Sequence, residues 1–252
     1  MQHLIALTCE ALARSVYAIA AASPHTISVQ LYKQGLHNHP KHLRDVLQTQ
    51  IDAIAPGACD AILLVYGMCG TATVGLTTPH TPLVIPRAHD CITLYLGAGA
   101  RYQAEFERHP GTYWYSVDYM ERAEDQNKVA LGAAGLEAEQ EQYEEYVRKF
   151  GQETADLLIE EMRGWARHYT RAAFIDTGLG DSAPFEQMAR DKAAREGWVF
   201  ERLAGDHRLL KLLLDGQWAE DEFLVVPPGY TIRQTFGDGL IEAVPAPGQA
   251  DA

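Results

Sequence analysis

Short, continuous apolar segments that alternate with amphipathic helical segments constrain the fold of this chain more than any other feature. Segments such as "HLIALTC", "AILLVY" and "PLVIPR" lack the polar alternation of a strand with one face in water. Strands of this kind are buried on both faces, which is typical of parallel sheets covered by helices on each side. The alternation therefore predicts an α/β fold with mainly parallel sheets.

A long helical segment interrupts this alternation and divides the chain. We expect an N-terminal Rossmann-like lobe over residues 1–118, a helical connector over 119–170 and a C-terminal α/β lobe over 171–244, with a disordered tail over 245–252. The two Rossmann-like lobes would enclose a cleft. Acidic residues dominate the stretch from Glu137 to Glu161. They predict a solvated helix face, with a docking surface for a basic partner as the alternative.

Charge and hydropathy argue against several classes of function. The chain has 21 basic and 34 acidic residues, a net charge of -13, which repels phosphate backbones and anionic lipid. We therefore expect no nucleic acid and no membrane partner. The apolar runs are too short to cross a bilayer and the N-terminus lacks the basic region of a signal peptide, which predicts a cytoplasmic protein. Its four irregularly spaced cysteines are then expected to be reduced.

Three of the four cysteines follow predicted strands of the first lobe. Cys9 follows "HLIALT", Cys69 follows "AILLVYGM" and Cys91 follows "PLVIPRAHD". Because the carboxyl ends of parallel strands share one edge of a sheet, where ligands bind at the topological switch point, these thiols are expected to converge. Cys59 precedes its strand and is excluded because it would lie at the opposite edge.

Three thiolates suit a soft or borderline metal and leave one coordination position for water or substrate. We therefore expect Cys9, Cys69 and Cys91 to bind zinc in the cleft between the lobes, with an iron–sulfur cluster as the alternative. Gly67 and Gly70 would allow the backbone to pass close to the bound group. The competing interpretation is that these cysteines pack as small apolar residues.

Residues near the cysteines supply candidate catalytic and binding groups. His89 is a candidate fourth ligand or acid–base group, and Asp90 either orients its imidazole or caps the following helix. Arg87 either binds an anionic group, such as part of a cofactor, or pairs with Asp90. In "GLHNHPKH", His37 could reach the same edge as an acid or base. For His42 we favour a solvated helix entrance.

The segment "FIDTGLGDSAPFEQMAR" contains a weak dinucleotide-binding pattern. Gly178, Gly180 and Ala183 form G-x-G-x-x-A between a predicted strand and a helix, and Glu201 is expected at the end of the next strand. A plain glycine-rich turn is the competing interpretation, because Asp181 would place a negative charge next to the phosphates. A nucleotide-binding enzyme using the Gly178 and Gly180 turn therefore stays an alternative.

Six segments together resemble the DUF1638 family of bacterial and archaeal proteins. They are "CEALARSVY", "LHNHPKHLRDVLQ", "LVYGMCGTATVGL", "LVIPRAHDCITLYLG", "HPGTYWYS" and "FLVVPPG". The resemblance extends from about Leu4 to about Ile232, and "YGMCG" and "PRAHDC" are its most specific parts. Members of this family are often encoded beside corrinoid-dependent methyltransferases and their reductive activators, so the resemblance implies one-carbon chemistry by association. It also implies importance for a set of five residues: Cys9, Cys69, His89, Asp90 and Cys91.

Together these observations predict a metal-binding protein that serves methyl-group transfer. Zinc would act as a Lewis acid on a small-molecule substrate such as a thiol, with a corrinoid on a partner protein or methyltransferase. An iron–sulfur cluster would instead indicate electron transfer to that corrinoid partner. A non-catalytic accessory protein that docks a methyltransferase or its activator is a further alternative. The sequence has no P-loop, G-x-S-x-G or H-E-x-x-H motif, which argues against kinases, serine hydrolases and zincin proteases.

Overall fold

The computed structural model describes residues 1–122, 139–166, 168–235 and 239–247. Within this part the chain divides into two units. The first comprises Met1–Tyr102 and Gly205–Ala252, and the second comprises Gln103–Ala204. The chain thus leaves the first unit to form the second and then returns to it.

The described strands and helices alternate along most of the chain. The strands are β1 (His3–Cys9), β2 (Thr26–Tyr32), β3 (Ala61–Val65), β4 (Leu83–Pro86), β5 (Thr112–Ser116), β6 (Arg171–Asp176), β7 (Val199–Ala204), β8 (Phe223–Val226), β9 (Tyr230–Gln234) and β10 (Ile241–Pro245). The α-helices are α1 (Ala13–Ala20), α2 (Pro40–Ala53), α3 (Cys91–Leu96), α4 (Gly99–Arg108), α5 (Val117–Glu121), α6 (Glu139–Phe150), α7 (Gln152–Ala166), α8 (Ala183–Glu196) and α9 (Arg208–Leu214).

A five-stranded sheet in the order β2-β1-β3-β4-β8 forms the centre of the first unit. The first four of these strands run parallel and β8 joins antiparallel to β4. Every residue of β3 and β4 is buried, as expected for parallel strands covered on both faces. The predicted α/β fold with mainly parallel sheets is therefore confirmed.

The strand order places a topological switch point between β1 and β3. The chain passes from β1 to β2 on one side and then crosses to β3 on the other side of β1. Connections that diverge in this way leave a crevice outside the carboxyl ends of the two strands, where open α/β sheets bind ligands. The carboxyl end of β1 is Cys9.

Helices α2 and α9 of the first unit bury apolar side chains. Helix α2 begins at Pro40 and buries Leu43, Leu47 and Ile51, which share one face because they are four residues apart. Helix α9 contacts α1, β3 and β4. Fully burying each leucine of these faces stabilises the fold by roughly 1.5–3 kcal/mol.

The second unit contains the parallel sheet β5-β6-β7. Its apolar core includes Tyr113, Tyr115 and Phe174 from the sheet together with Ala189 and Ala193 from α8. Small residues on α8 let that helix lie close to the strands. Helices α6 and α7 pack on each other.

The observed units differ from the predicted division of the chain. Helix α9 and strands β8, β9 and β10, which we expected in a C-terminal lobe, belong to the first unit. The apolar run of β8 does not encode its partner strand, which is why sequence could not place it. Residues 123–138 and 167 of the expected connector, and 248–252 of the expected tail, lie outside the described residues.

Among the described residues, no helix combines the length and hydropathy needed to span a bilayer.

Candidate functional site

Cys9 and Tyr66 lie side by side at the switch point. Strand pairing places Thr8 opposite Val65, so the next residue of each strand, Cys9 and Tyr66, comes level as the chain leaves the sheet. Both are buried, with Tyr66 only 2% exposed. The crevice between β1 and β3 is therefore bordered by a thiol and a phenol.

The loops that follow β3 and β4 are joined by backbone hydrogen bonds. The N–H of Met68 donates to the carbonyl of Ala88 at 2.8 Å, and the N–H of Cys69 donates to the carbonyl of His89 at 2.9 Å. These bonds extend the pairing of the two strands beyond the sheet. They bring Cys69 next to the segment that carries Cys91.

Gly67 has a different role from the one that its position in the sequence suggested. We expected it to make room for a bound group, but a Cβ at Gly67 would lie 2.6 Å from the Cα and the N of Asp90. The glycine therefore permits the two loops to touch. Gly70 is needed for another reason, because its φ of +61° lies in the left-handed region.

The loop after β3 has an unusual backbone at consecutive positions. Cys69 has φ +45° and Thr71 has φ +80°, on either side of Gly70. A β-branched residue at positive φ is a genuine outlier, and each such residue costs on the order of 1–3 kcal/mol. The Arg44 guanidinium donates to the carbonyl of Thr71 at 2.7 Å and helps to hold this shape.

Asp90 fixes the position of the third cysteine. Its carboxylate accepts a hydrogen bond from the N–H of Ile92 at 2.9 Å and caps α3. Cys91 is the first residue of that helix and is partly buried, as is Cys69. Of the two roles that the sequence left open for Asp90, capping is the one that the structure shows.

The three thiols lie within electrostatic reach of one another. Burial raises the pKa of Cys9 from 9.0 to about 11. Burial also raises the pKa of Cys69 and Cys91 well above the usual range, and the charges of Asp90 and the other thiols raise it further. Among the described residues, each side-chain charge that shifts these thiols is negative, including Glu10 beside Cys9. The site therefore favours either neutral thiols or a bound cation.

Tyr66 is a site residue that the sequence analysis missed. Its hydroxyl is buried and has no hydrogen-bond partner within the described part of the chain. Burial raises its pKa far above the usual value, and Cys9 and Cys69 add to the effect. The neighbouring Tyr32 differs, because its hydroxyl donates to Gln30 at 2.9 Å. The available signal was a tyrosine at the end of an otherwise apolar strand.

His89 lies at the exposed margin of the site. Its side chain is exposed and its charge lowers the pKa of Asp90, although burial of that carboxyl is the larger effect and raises it. The rings of His89 and Tyr102 have centroids 6.5 Å apart. The pKa of Tyr102 is raised to about 12, chiefly by burial and then by Asp90 and Cys91. His89 thus stays a candidate for proton exchange with solvent.

His37 lies at the same edge, in a short 3-10 helix after β2 that spans Gln34–Asn38. The N–H of Gln34 donates to the Glu10 carboxylate at 3.3 Å, which fastens this helix to the residue after Cys9. Burial lowers the pKa of His37, so its imidazole is neutral at physiological pH.

Arg87 links two segments of the first unit by hydrogen bonds. Its guanidinium donates to the carbonyls of Glu220 at 2.9 Å, of Gly239 at 2.7 Å and of Ile241. These contacts tie the segment after β4 to the returning C-terminal part of the first unit. They differ from both roles that the sequence suggested, an anion site and a pair with Asp90.

The glycine-rich turn lies in the second unit. Gly178 and Gly180 have φ +74° and +76°, as a tight turn requires. The Asp181 carboxylate accepts from the N–H of Ala183 at 3.2 Å, so an acid already occupies part of the helix terminus that a phosphate would use. Glu201 lies within β7 rather than at its end, and pairs with Arg171 at 2.8 Å. This geometry does not favour a nucleotide.

The exposure of the acidic residues on α6 and α7 agrees with the predicted solvated helix face. Four acids of this stretch are exposed to solvent: Glu144, Glu153, Asp156 and Glu160. Three large apolar side chains described in this stretch are also exposed, Phe150 at 56%, Leu157 at 65% and Leu158 at 36%. Glu137 lies outside the described residues.

Cys59 lies at the opposite end of the sheet from the other three cysteines. The N–H of the next residue, Asp60, donates to the carbonyl of His3, the first residue of β1. Within the described ranges, no group of three or more His, Cys, Asp or Glu side chains is placed to hold a metal ion.

Comparison with known proteins gives a family but no function. A family model described as protein of unknown function (DUF1638) matches residues 31–214, well over half of the chain. That range contains Cys69, His89 and Cys91. No curated protein and no solved structure is significantly similar to the chain.

Proposed function

We propose that this chain, which belongs to the DUF1638 family, binds a zinc ion through Cys9, Cys69 and Cys91 and presents it to a small-molecule substrate. One observation carries this proposal. Three thiols from three neighbouring strand ends lie within electrostatic reach of one another beside the switch point of the sheet.

The charges around the thiols support a cation as the occupant. Ionising Cys69 and Cys91 without a counter-ion would place them beside Asp90 and each other, which the structure strongly disfavours. A divalent cation removes this penalty, because metal binding displaces the thiol protons. Sulfur ligands suit zinc, and three of them leave one position open. An iron–sulfur cluster is the alternative occupant of the same ligand set.

Residues around the thiols have distinct roles in this proposal. Asp90 sets the orientation of Cys91 by capping α3. Gly67 lets the two cysteine loops touch. His89, at the exposed margin, is placed to pass a substrate proton to solvent.

Methyl-group transfer is the chemistry that we propose for the substrate. Bound zinc supplies a Lewis acid that favours the ionised form of a thiol. The thiol sulfur forms a bond to the methyl carbon, the donor departs with the electron pair of its bond to that carbon, and the thiol proton passes to solvent. The donor would be a corrinoid on a partner protein or methyltransferase, which the family resemblance implies by association alone.

Metal analysis tests the proposal directly. We expect purified protein to contain about one equivalent of zinc per chain, and the single variants Cys9→Ser, Cys69→Ser and Cys91→Ser to contain much less. Cys59→Ser is the matched control and should retain zinc, because Cys59 lies at the other end of the sheet. Circular dichroism would check that each variant is folded.

Two results would contradict this assignment. The first is a wild-type protein that neither contains zinc nor takes it up from a competing chelator. The second is equal zinc content in Cys59→Ser and in the other three variants. A brown protein with visible absorbance and bound iron would replace zinc by the cluster while retaining the three cysteines as ligands.

A further inference from the structure

We infer that strand β2 pairs with β2 of a second copy of this chain, antiparallel about a two-fold axis at Val29, so that two five-stranded sheets join into one. This inference does not depend on the proposed function. The juxtaposition that supports it is a long, uncharged edge strand within a segment of the chain that has no acidic residue.

Strand β2 is an unprotected edge. Among the described strands it has a neighbour on one side only, because the order β2-β1-β3-β4-β8 begins with it. It is seven residues long, pairs with β1 along its whole length without a bulge, and contains no charged residue and no proline. Natural proteins protect free edges by short strands, bulges, prolines or charged side chains. None of these protects β2, as expected of a strand whose edge another chain covers.

The other edge strands that the structure describes are protected. Strand β7 carries Glu201 and Arg202, and the hairpin of β9 and β10 carries Arg233 and Glu242. Strand β5 is buried throughout, and β8 has only four residues and contacts β9 and β10. The lack of protection is therefore particular to β2.

The backbone of β2 determines how a second copy pairs with it. The N–H of Thr26 donates to the carbonyl of Gln2 at 2.9 Å, so the backbone groups of Thr26 point toward β1. These groups alternate in direction along a strand, so those of Ile27, Val29 and Leu31 point toward the free edge. An antiparallel copy centred on Val29 places Val29 opposite Val29 and Ile27 opposite Leu31. Each outward N–H then meets a carbonyl of the other copy, in an isologous interface.

The side chains are complementary in the same register. Ile27, Val29 and Leu31 share one face of the strand and are only partly buried within a single chain. Pairing sets these apolar side chains against one another, and cross-strand apolar pairs stabilise a sheet. Helix α1, which contacts β2, carries a further exposed apolar side chain, Tyr17 at 50%.

The charge distribution allows two copies to approach at this edge. The chain has 34 acidic residues and a net charge of -13, yet residues 11–44, which include α1 and β2, contain no acid. Two copies with a large net negative charge repel each other. This repulsion is weakest where the acids are missing, so the same edge that offers the hydrogen bonds also opposes association least.

Sedimentation of the full chain over a range of concentrations tests the inference. We expect the wild-type chain to be a dimer at micromolar concentration. Val29→Pro removes one outward N–H from each copy but no hydrogen bond to β1, and proline is tolerated at such edge positions. Because the two-fold axis doubles the loss, we expect the dissociation constant of the dimer to rise about a hundredfold or more.

A lysine pair supplies a second variant and a matched control. Val29→Lys sets two like charges opposite each other at the axis and should also dissociate the dimer. Val199→Lys makes the same change on the edge strand β7, where Val199 is 68% exposed, and should leave the dissociation constant within about twofold. Circular dichroism checks that each variant is folded, and Val29→Lys gives the result if Val29→Pro is not.

Amide hydrogen exchange of the wild-type chain identifies the surface without any variant. In the dimer the outward N–H groups of Ile27, Val29 and Leu31 should exchange as slowly as that of Thr26, which is bonded within the sheet. Exchange of these three at the rate of unbonded amides would overturn the inference.

Three sedimentation results would also overturn it. The first is a wild-type chain that stays monomeric up to roughly 100 μM. The second is a dimer that folded Val29→Pro and Val29→Lys leave intact. The third is equal weakening by Val199→Lys, since the effect would then not depend on β2. Zinc content is measured separately, so failure of this inference is distinct from failure of the proposed function.

Discussion

Replacing Gly67 by alanine tests whether contact between the two cysteine loops holds the site together. The added Cβ would lie 2.6 Å from the Cα and N of Asp90 and 2.9 Å from its carbonyl carbon. These are backbone atoms, so no side-chain rotation can relieve the overlap. Reaching ordinary van der Waals contact requires the loops to separate by roughly 0.8 Å.

The cost of this separation can be assembled from its parts. Overpacking of this kind typically costs about 1–3 kcal/mol. The two backbone hydrogen bonds from Met68 and Cys69 to the other loop lie next to the overlap, and weakening them adds about 0.5–1.5 kcal/mol each. Alanine recovers about 0.4–1 kcal/mol by restricting the unfolded chain. We therefore expect Gly67→Ala to lower the free energy of unfolding by about 1–5.5 kcal/mol, with a central value of about 3 kcal/mol.

Urea unfolding of metal-free protein, followed by circular dichroism, measures this change as a lower midpoint at an unchanged slope. Gly99→Ala is the control, because nothing lies within 4 Å of a Cβ there and alanine suits the start of α4. We expect its free energy of unfolding to be unchanged or to rise by up to about 1 kcal/mol. If Gly67→Ala were within about 0.5 kcal/mol of wild type, the loop contact would not have the role assigned to it.

Two further predictions concern Cys9 and Arg87. In metal-free, reduced protein, the neutral Cys9 thiol contributes stability that is fully present below its unfolded pKa of 9.0 and is lost as pH rises toward its folded pKa of about 11. Between these pH values the free energy of unfolding of Cys9→Ala should fall less steeply with pH than that of wild type, by about 1.4 kcal/mol per pH unit. Urea unfolding at several pH values measures this, and an equal pH dependence in the two proteins would contradict the prediction. Arg87→Met should lower the free energy of unfolding by about 1.5–3 kcal/mol, because it removes charged donors to three carbonyls, yet zinc content should be unchanged. Loss of zinc with normal stability would show that Arg87 serves the site instead.

The alternation of buried strands and helices was enough to predict the α/β fold with mainly parallel sheets. This follows from local pattern, because a parallel strand buried on both faces is apolar throughout. The same pattern places Cys9, Cys69 and Cys91 at or after the carboxyl ends of strands, and a shared ligand for them stays a prediction. The division of the chain did need more, since the apolar run of β8 is compatible with either sheet and its pairing with β4 depends on tertiary contacts.

The residues that sequence placed wrongly or missed depend on partners far along the chain. Arg87 binds carbonyls more than 130 positions away, and no local pattern encodes such contacts. At Gly67 the sequence indicated clearance for a ligand, whereas the structure shows that a Cβ there would meet the backbone of Asp90. The Tyr66 hydroxyl is notable only because its neighbours leave it without a partner, which requires knowledge of every surrounding atom.

Several local costs are concentrated at one edge of one sheet. Cys69 and Thr71 have strained backbones, Tyr66 buries an unpaired hydroxyl, and the thiols disfavour one another's ionisation. By contrast, every residue of β3 and β4 is buried and apolar. A ligand that neutralises the thiols and pairs with the phenol would offset two of the three costs, and this is the physical reason for assigning the function to this edge.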